Sequence, residues 1–294
     1  MNVRRRLVEK EQNATGNHGI RVLVPLLIKG GQAEVGGRPF LHSQICPMAF
    51  ASSSEISVED KYGVEIGGSS ALFKRVLPLH QFVRGLDGVN FSTDTISEGR
   101  IQTGENFNYY RNKRGCQFIA DATDLGEIAT ARYDFLLSSN CLEHVANPIK
   151  ALVEWKRVIK AGGGLILVVP NKEKNFDHRR PVTKFEHLLD DFTRDVGEDD
   201  LTHLDEIFVL HDLCMDRPAG GLKHFRKRSL KNFQNRTLHH RVFDVQLIEE
   251  MLDHVGFEIL DVTTTRTDFF ALARKNPETA SVPTQHAQDA MGSS

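Results

Sequence analysis

The sequence has few cysteines, almost no net charge and no long apolar run, and each shortage argues against a class of protein. The four cysteines, Cys46, Cys116, Cys141 and Cys214, are widely spaced and form no C-x-x-C pair. This spacing indicates neither a zinc knuckle nor a disulfide framework, and it favours a protein of the reducing cytoplasm. The formal net charge is -2 at pH 7, so charge alone indicates neither a nucleic-acid nor a membrane partner.

Sequence signals for membrane passage and for metal binding are also missing. No apolar run reaches the roughly 18 residues that a spanning helix needs. Arg4, Arg5 and Arg6 are separated from the apolar stretch RVLVPLLI by a polar interval that contains Glu9 and Lys10. A signal peptide places its apolar region next to the basic one, so a cytoplasmic location is predicted. The 13 histidines form no H-x-x-x-H or H-E-x-x-H pattern, and no metal is expected.

Composition divides the chain into three parts. Residues 1–55 are glycine-rich and irregular, and we predict a poorly ordered N-terminal extension. Residues 275–294 are polar and contain Pro277 and Pro283, which predicts a disordered tail. Residues 56–274 have the length and the apolar content of a single domain.

Apolar runs and helical patterns alternate within this domain. Strands are predicted in KYGVEIGG, QFVRGLDGVNFS, CQFIADATDL, RYDFLLSSN and GLILVVPN, and two more in FEILDVTTT and DFFALARK. Nearly continuous apolar runs are typical of strands that are buried on both faces of a parallel sheet. The repeated strand–helix order therefore predicts an open α/β sheet.

Two helices have clear boundary signals. Asn147 and Pro148 suit the start of the first, and Gly162–Gly164 are expected to end it. Asp244 is the expected cap of the second and Gly256 its stop. Apolar positions at helical spacing define the predicted buried stripe of the first helix, with the last two at its margin: Ile149, Leu152, Val153, Ile159, Trp155 and Val158.

Polar residues and glycines recur where four consecutive predicted strands end, which is where open α/β sheets bind ligands. They are Glu65, Gly67, Gly68, Asp87, Asn90, Asp121, Ser139, Asn140, Glu143 and His144. The first of these turns, VEIGGSSALF, lacks the G-x-G-x-x-G pattern of dinucleotide sites, since Ser69 and Leu72 replace two glycines. A pyrophosphate needs those bare backbones, so a dinucleotide-dependent enzyme is the less favoured alternative.

The stretch YDFLLSSNCLEHVANPIKALVEWKRVIKAGGGLILVVPN, taken with VEIGG and GLDGVNFS, resembles class I S-adenosylmethionine-dependent methyltransferases of the methyltransferase-domain type. The resemblance spans about residues 60–274. It implies a Rossmann-like, doubly wound, mostly parallel seven-stranded sheet with helices on both faces. A weaker likeness of FDHRRPVTKFEHLLDDF to bacterial members that modify glycans or small molecules implies such an acceptor.

The resemblance also implies roles for residues that bind S-adenosylmethionine. Glu65, Gly67 and Gly68 match the turn beside the methionine part of the cofactor. Asp87 matches the acid that holds the ribose, and Asn90 competes with it because the strand can run on through GVNF. At the next two strand ends, Asp121 with the Ala122 backbone matches the adenine-binding pair, and Ser139 with Asn140 matches the wall near the sulfonium.

The segment between the fifth predicted strand and the second helix, residues 171–243, is the expected acceptor side, an insertion or lid rich in ionisable residues. His178 is the first candidate for a general base and His144 the second. A structural role for His178 and Arg180, as partners of Asp190 or Asp191, is equally open.

Two further alternatives concern partners and activity. The basic run GLKHFRKRSLKNFQNR contains Phe225 and Phe233 and could contact RNA, an anionic lipid or a glycan phosphate. Acidic stretches balance it, which argues against a dedicated nucleic-acid-binding protein. A non-catalytic binding module with a methyltransferase-like fold is the alternative to an enzyme, and the sequence leaves the oligomeric state open.

Overall fold

The computed structural model describes residues 56–96 and 98–277, and their strands form two sheets. In chain order the strands are β1 (Tyr62–Ile66), β2 (Gly85–Asn90), β3 (Asp94–Thr95), β4 (Gly99–Arg100), β5 (Gly104–Tyr110), β6 (Lys113–Ile119), β7 (Tyr133–Ser139), β8 (Ile159–Pro170), β9 (Phe257–Thr264) and β10 (Asp268–Lys275). The main sheet has eight strands in the order β5-β6-β2-β1-β7-β8-β10-β9, and β3 pairs with β4 separately.

The centre of the main sheet is parallel. β1 pairs in parallel with β2 on one side and with β7 on the other, and β6 and β8 continue the parallel arrangement outward. At the two edges, β5 and the β9–β10 pair run antiparallel to their neighbours. Because the strand order reverses at β1, a crevice opens beyond the carboxyl ends of β1 and β7.

The predicted Rossmann-like architecture is confirmed, but the sheet has eight strands rather than seven. The additional strand is β5, which pairs antiparallel with β6. Phe107 and Tyr109 alternate with exposed residues along it and are both buried. This period of two is the strand signal that the sequence prediction missed.

The helices are α1 (Pro148–Val158), α2 (Phe185–Thr193), α3 (Leu204–Leu210), α4 (Leu222–Ser229), α5 (Asn232–Asn235) and α6 (Val245–Val255). As predicted, Oδ1 of Asn147 accepts a hydrogen bond from the N–H of Lys150 at 3.1 Å and caps α1. Asp244 caps α6 in the same way through the N–H of Leu247, and Gly256 ends α6 with φ +79°.

The predicted end of α1 was wrong. The helix ends at Val158, and Gly162–Gly164 belong to β8. At Gly163 a Cβ atom would lie 2.7 Å from the carbonyl oxygen of Asp134, so the bare backbone serves the close approach of this strand to its neighbour. The buried stripe also differs, because Trp155 and Val158 are fully buried whereas Val153 is 43% exposed.

The two faces of the sheet are covered differently. Helices α1 and α6 pack together on one face, over a core that includes Val64, Leu136 and Leu167. The other face is covered by the start of the described chain and by two short helical turns, Leu72–Val76 and Leu79–Gln81. This division leaves the strand ends free of long helices.

Residues 171–243, which together with Asp244 form the connection from β8 to α6, contain α2 to α5 and have a small apolar cluster of their own. Its buried members are Leu204, Ile207, Ala219, Phe225 and Leu238. Within residues 56–96 and 98–277, no helix has the length and apolar character needed to cross a membrane. The expectations for residues 1–55 and for most of the tail lie outside the described residues.

Candidate functional site

A cleft lies beyond the carboxyl ends of the central parallel strands, with about 400 Å³ of empty space that opens to solvent. Four of its walls are formed by the residues at the ends of β1, β2, β6 and β7 or just after them. Residues 171–243 contribute two charged side chains. We call it the strand-end cleft. Its lining residues are Ile66, Gly67, Val89, Asn90, Phe91, Ala120, Asp121, Ala122, Cys141, His144, Val145, Glu198 and Arg236.

Gly67 forms the wall at the end of β1, and no other residue type fits there. Its φ is +76°, and a Cβ atom would lie 2.8 Å from Sγ and 2.9 Å from Cβ of Cys141. Positive φ is strained for residues that carry a side chain. The turn therefore presents bare backbone to the cleft, as the sequence motif predicts for this glycine.

Glu65 and Gly68 shape this turn from outside the cleft lining. Oε1 of Glu65 accepts a hydrogen bond from the N–H of Ser70 at 2.7 Å, and its Oε2 lies 2.9 Å from Nε2 of buried His80. Ser69 is not among the described residues with positive φ. A serine therefore fits where related turns carry glycine, and Glu65 acts as a support of the turn.

At the end of β2 the structure brings Asn90, and not Asp87, into the cleft. Asn90 is the last residue of the strand and lines the cleft. Its Nδ2 donates to the carbonyl oxygen of Gly68 at 2.9 Å, and within the described chain its Oδ1 has no hydrogen-bond partner. That oxygen can accept a hydrogen bond from a hydroxyl group in the cleft.

The predicted ribose contact of Asp87 is contradicted by its position inside the sheet. The side chain is fully buried, and its two oxygens accept hydrogen bonds from the Tyr62 and Tyr133 hydroxyls, the Cys116 N–H and Arg132 at 2.7–2.9 Å. These donors fill the acceptor capacity of one carboxylate. Asp87 therefore has no lone pair left for a ligand and joins four segments of the sheet region.

At the end of β6, Asp121 and Ala122 offer the donor and acceptor pair that an adenine edge requires. Oδ1 of Asp121 accepts from the backbone N–H of Thr123 at 2.9 Å and from its hydroxyl at 2.8 Å. Oδ2 accepts from Arg236 at 2.9 Å. A carboxylate has about four acceptor sites, so one remains, and the Ala122 N–H has no partner among the described residues.

Glu198 and Arg236 are cleft residues that sequence reasoning missed. Nη2 of Arg236 donates to Asp121 and its Nη1 lies 2.7 Å from Oε2 of Glu198, while the guanidinium carbon is 5.2 Å from the ring centre of Phe91. Two carboxylates thus share one cation. No local pattern links residues 121, 198 and 236, so only the fold brings them together.

The wall at the end of β7 is also different from the prediction. Ser139 and Asn140 lie outside the cleft lining, and Cys141, His144 and Val145 take their place. Asn140 is exposed and has φ +49°, so the chain turns there and directs the next residues inward. Burial raises the pKa of the Cys141 thiol to about 12, so this residue contributes a neutral wall.

His144 lies in the cleft wall, whereas His178 does not. The Nδ1 atom of His144 is 2.9 Å from the carbonyl oxygen of Leu238 and therefore carries the proton. Burial and the neighbouring His239 imidazole lower the pKa of His144, so the ring is neutral at physiological pH. His178 instead pairs with Asp212 at 3.0 Å, so of the two candidates only His144 faces the cleft.

Arg180 has a structural role. Its guanidinium is buried and bonds Asp177 at 3.0 Å, Glu206 at 2.9 Å and the carbonyl oxygen of His239 at 2.8 Å. The prediction that Arg180 pairs with Asp190 or Asp191 was wrong. Asp191 pairs with Arg241, and Asp190 pairs with Arg194.

Comparison with known families gives this geometry its class. Residues 64–167 match the family model described as a methyltransferase domain. The matched range runs from β1 into β8 and so contains the strand ends that form the cleft. These residues therefore form a methyltransferase domain with a Rossmann-like fold, which supports the assignment of the chain as an enzyme that uses S-adenosylmethionine.

Solved structures with partial likeness include three S-adenosylmethionine-dependent methyltransferases. Those from Mesorhizobium loti and Aquifex aeolicus are 13% and 12% identical, cover 74% of this chain and 92% and 83% of their own, and have TM-scores of 0.42 and 0.39. One from Methanosarcina mazei is 17% identical, covers 75% of this chain and 94% of its own, and has a TM-score of 0.38. Such scores say nothing about the acceptor. No curated protein sequence matches the chain.

Replacing Asp121 with alanine is expected to weaken S-adenosylmethionine binding about tenfold or more. A hydrogen bond to a charged group contributes about 1.5–3 kcal/mol, and 1.4 kcal/mol corresponds to tenfold in affinity. Isothermal titration calorimetry measures the change. Asp124→Ala is the matched control, because Asp124 lies outside the cleft lining. Equal affinities for the two variants would remove Asp121 from the adenine site.

Proposed function

We propose that the enzyme methylates a small-molecule or glycan-like acceptor that carries hydroxyl groups. The observation that carries this proposal is the charge of the acceptor side of the strand-end cleft. Glu198 is buried in the cleft lining, Glu143 is buried beside the cleft, and Arg236 is already shared between Glu198 and Asp121. Carboxylates and imidazoles accept hydrogen bonds from hydroxyl groups, and the carboxylates repel phosphates.

The basic run at residues 221–236 gives little support to a nucleic-acid acceptor. Phe225 is buried in the apolar cluster of this segment and offers no face for a base to stack on. Arg228 pairs with Asp216 at 3.3 Å, and Arg236 faces the cleft. The second aromatic, Phe233, is 57% exposed, and its ring lies 5.6 Å from the Arg236 guanidinium. The other cations lie mostly on a short helix, which is typical of a solvated surface.

The cleft presents hydrogen-bonding groups without a partner among the described residues, and these groups fit the cofactor. Gly67 allows close approach of the methionine part, and Oδ1 of Asn90 can accept from a ribose hydroxyl. The Ala122 N–H and the remaining acceptor site of Asp121 suit the adenine edge. When bound, the cofactor supplies a methyl group that its sulfonium has already activated for displacement.

The residues of the chain then contribute alignment and exclusion of water more than proton transfer. Cys141 and Val145 form a neutral wall, and residues 171–243 supply Glu198 and Arg236 from the opposite side. The low pKa of His144 makes it a weak base. We therefore expect His144 to help position the acceptor rather than to remove its proton.

Calorimetric titration with S-adenosylmethionine and with its demethylated product tests cofactor binding, and both are expected to bind with one site per chain. Turnover is then measured by mass spectrometry on a panel of sugars, glycosides, phenols, nucleotides and RNA. We expect a mass gain of one methyl group, about 14 Da, on a hydroxyl-bearing acceptor. Transfer confined to RNA or nucleotides would contradict the acceptor class proposed here.

A further inference from the structure

Three potential metal ligands converge beside the strand-end cleft, although they come from distant parts of the chain. Glu143 and His144 lie in the short helical turn after β7, and His239 lies shortly before α6. Oε1 of Glu143 is 3.9 Å from Nε2 of His144 and 4.0 Å from Nε2 of His239. One ligand atom from each residue lies within 4.8 Å of the others.

Both imidazoles are oriented in the way that metal-binding histidines usually are. Nδ1 of His144 is 2.9 Å from the carbonyl oxygen of Leu238, and Nδ1 of His239 is 2.5 Å from Oδ2 of Asp177. Each partner offers an acceptor, so each Nδ1 carries the hydrogen and each Nε2 presents a lone pair. A carbonyl or carboxylate behind the distal nitrogen is the common support of a metal-binding histidine.

Glu143 lacks a partner that a cation would supply. The residue is 1% exposed, and its Oε2 is buried with no hydrogen-bond partner among the described residues. Leaving a buried carboxylate uncompensated is unfavourable, and a positive charge between the two imidazoles removes that cost.

The surrounding backbone and rings hold the three side chains in place. The carbonyl oxygen of Glu143 accepts a hydrogen bond from the N–H of His240 at 2.7 Å, which joins the two distant segments. The His239 ring packs on Phe176 at 4.6 Å and on the edge of His144 at 4.6 Å. Asp177 is itself fixed by Arg180.

We propose that Glu143, His144 and His239 bind one divalent transition-metal cation. Two imidazole nitrogens and one carboxylate oxygen suit zinc, cobalt, manganese or iron, whereas magnesium and calcium prefer oxygen ligands alone. Ligands about 2.1 Å from zinc lie roughly 3.4 Å apart, so Glu143, at 3.9 and 4.0 Å from the two imidazole nitrogens, needs to approach them by about half an ångström. No H-x-x-x-H signal marks this site because the two histidines are 95 positions apart (144 and 239).

A cation held there lies beside the strand-end cleft, because His144 lines it. If the proposed function is right, the cation is placed to bind and orient a hydroxyl oxygen of the acceptor. This consequence rests on the proposed function, whereas the metal site itself does not.

Cobalt titration of the metal-free full-length protein tests the site without any need for turnover. We expect one Co²⁺ per chain, visible as d–d absorption bands that Zn²⁺ removes by displacement and that Mg²⁺ leaves unchanged. Elemental analysis of the loaded protein checks the stoichiometry. Absence of binding at about 100 μM Co²⁺ and Zn²⁺ overturns the proposal.

Variants locate the cation. Glu143→Gln keeps the shape of the side chain and is expected to weaken Co²⁺ binding at least about tenfold, and His239→Ala should abolish the bands. Asp177→Asn, which weakens the support of His239 and also the ion pair with Arg180, should cost about 10- to 100-fold in Co²⁺ affinity. His224→Ala is the control, since that exposed histidine lies outside the cluster.

Retention of wild-type affinity by both Glu143→Gln and His239→Ala would place any bound metal elsewhere and overturn the proposal. Circular dichroism of each variant checks folding, and the isosteric Glu143→Gln keeps the test valid if His239→Ala misfolds. S-adenosylmethionine titration of the same samples separates the two hypotheses. Metal binding without cofactor binding contradicts only the proposed function, and cofactor binding without metal binding contradicts only this site.

Discussion

Asp87→Ala is expected to lower the free energy of unfolding by about 3 kcal/mol or more. The carboxylate is fully buried and accepts four hydrogen bonds, so its loss leaves the hydroxyls of Tyr62 and Tyr133 and the Cys116 N–H without a partner. Each unsatisfied buried group costs about 1–3 kcal/mol. Arg132 is 36% exposed. Its guanidinium can therefore bind water instead, which limits the total loss of stability.

Urea denaturation measures this loss, and Asp253→Ala is the matched control. Asp253 is an exposed residue of α6, and its replacement should change stability by less than about 0.5 kcal/mol. Asp87→Asn keeps the side-chain shape and separates the two roles considered for this residue. A folded Asp87→Asn protein with cofactor affinity reduced tenfold or more would restore Asp87 as a ribose contact.

Gly67→Ala is expected to weaken S-adenosylmethionine binding by about tenfold or more. A left-handed conformation costs a residue with a side chain about 1–2 kcal/mol, and the new Cβ atom would meet Cys141 below 3 Å. The turn must therefore move, and it forms the wall at the end of β1. Calorimetry measures the affinity, and thermal unfolding is followed in parallel to separate local from global effects.

Gly221→Ala is the matched control for this substitution. A Cβ atom at Gly221 would meet no heavy atom within 4 Å, and the residue lies just before α4, outside the cleft lining. This variant should bind the cofactor as the wild type does. An unchanged affinity of Gly67→Ala would mean that the cofactor does not lie against this turn.

The parts of the site that follow strand ends could be predicted from the sequence, because a buried strand and the turn after it are local patterns. Gly67, Asp121 and His144 were identified in this way and line the cleft. Asp87 was misplaced because the end of the second strand was uncertain by three residues. The strand runs on to Asn90, which leaves Asp87 in its middle.

The remaining site residues depend on long-range contacts that a single sequence does not encode locally. Glu198, Arg236 and His239 come from the connection between β8 and α6 and reach the cleft region only because that connection folds back over the strand ends. The edge strand β5 was missed for a different reason. The alternation of Phe107 and Tyr109 with polar residues is a local strand signal, and it was overlooked rather than absent.

The Asp87 network has a consequence for how the cleft keeps its width. Tyr62 begins β1, Tyr133 begins β7, and Cys116 is in β6 beside Asp87 of β2. One carboxylate therefore links the four strands that end at the cleft, and it does so before their carboxyl ends. The turns beyond the carboxyl ends of these strands can therefore adjust to a ligand, while the distances between the strands themselves stay constant.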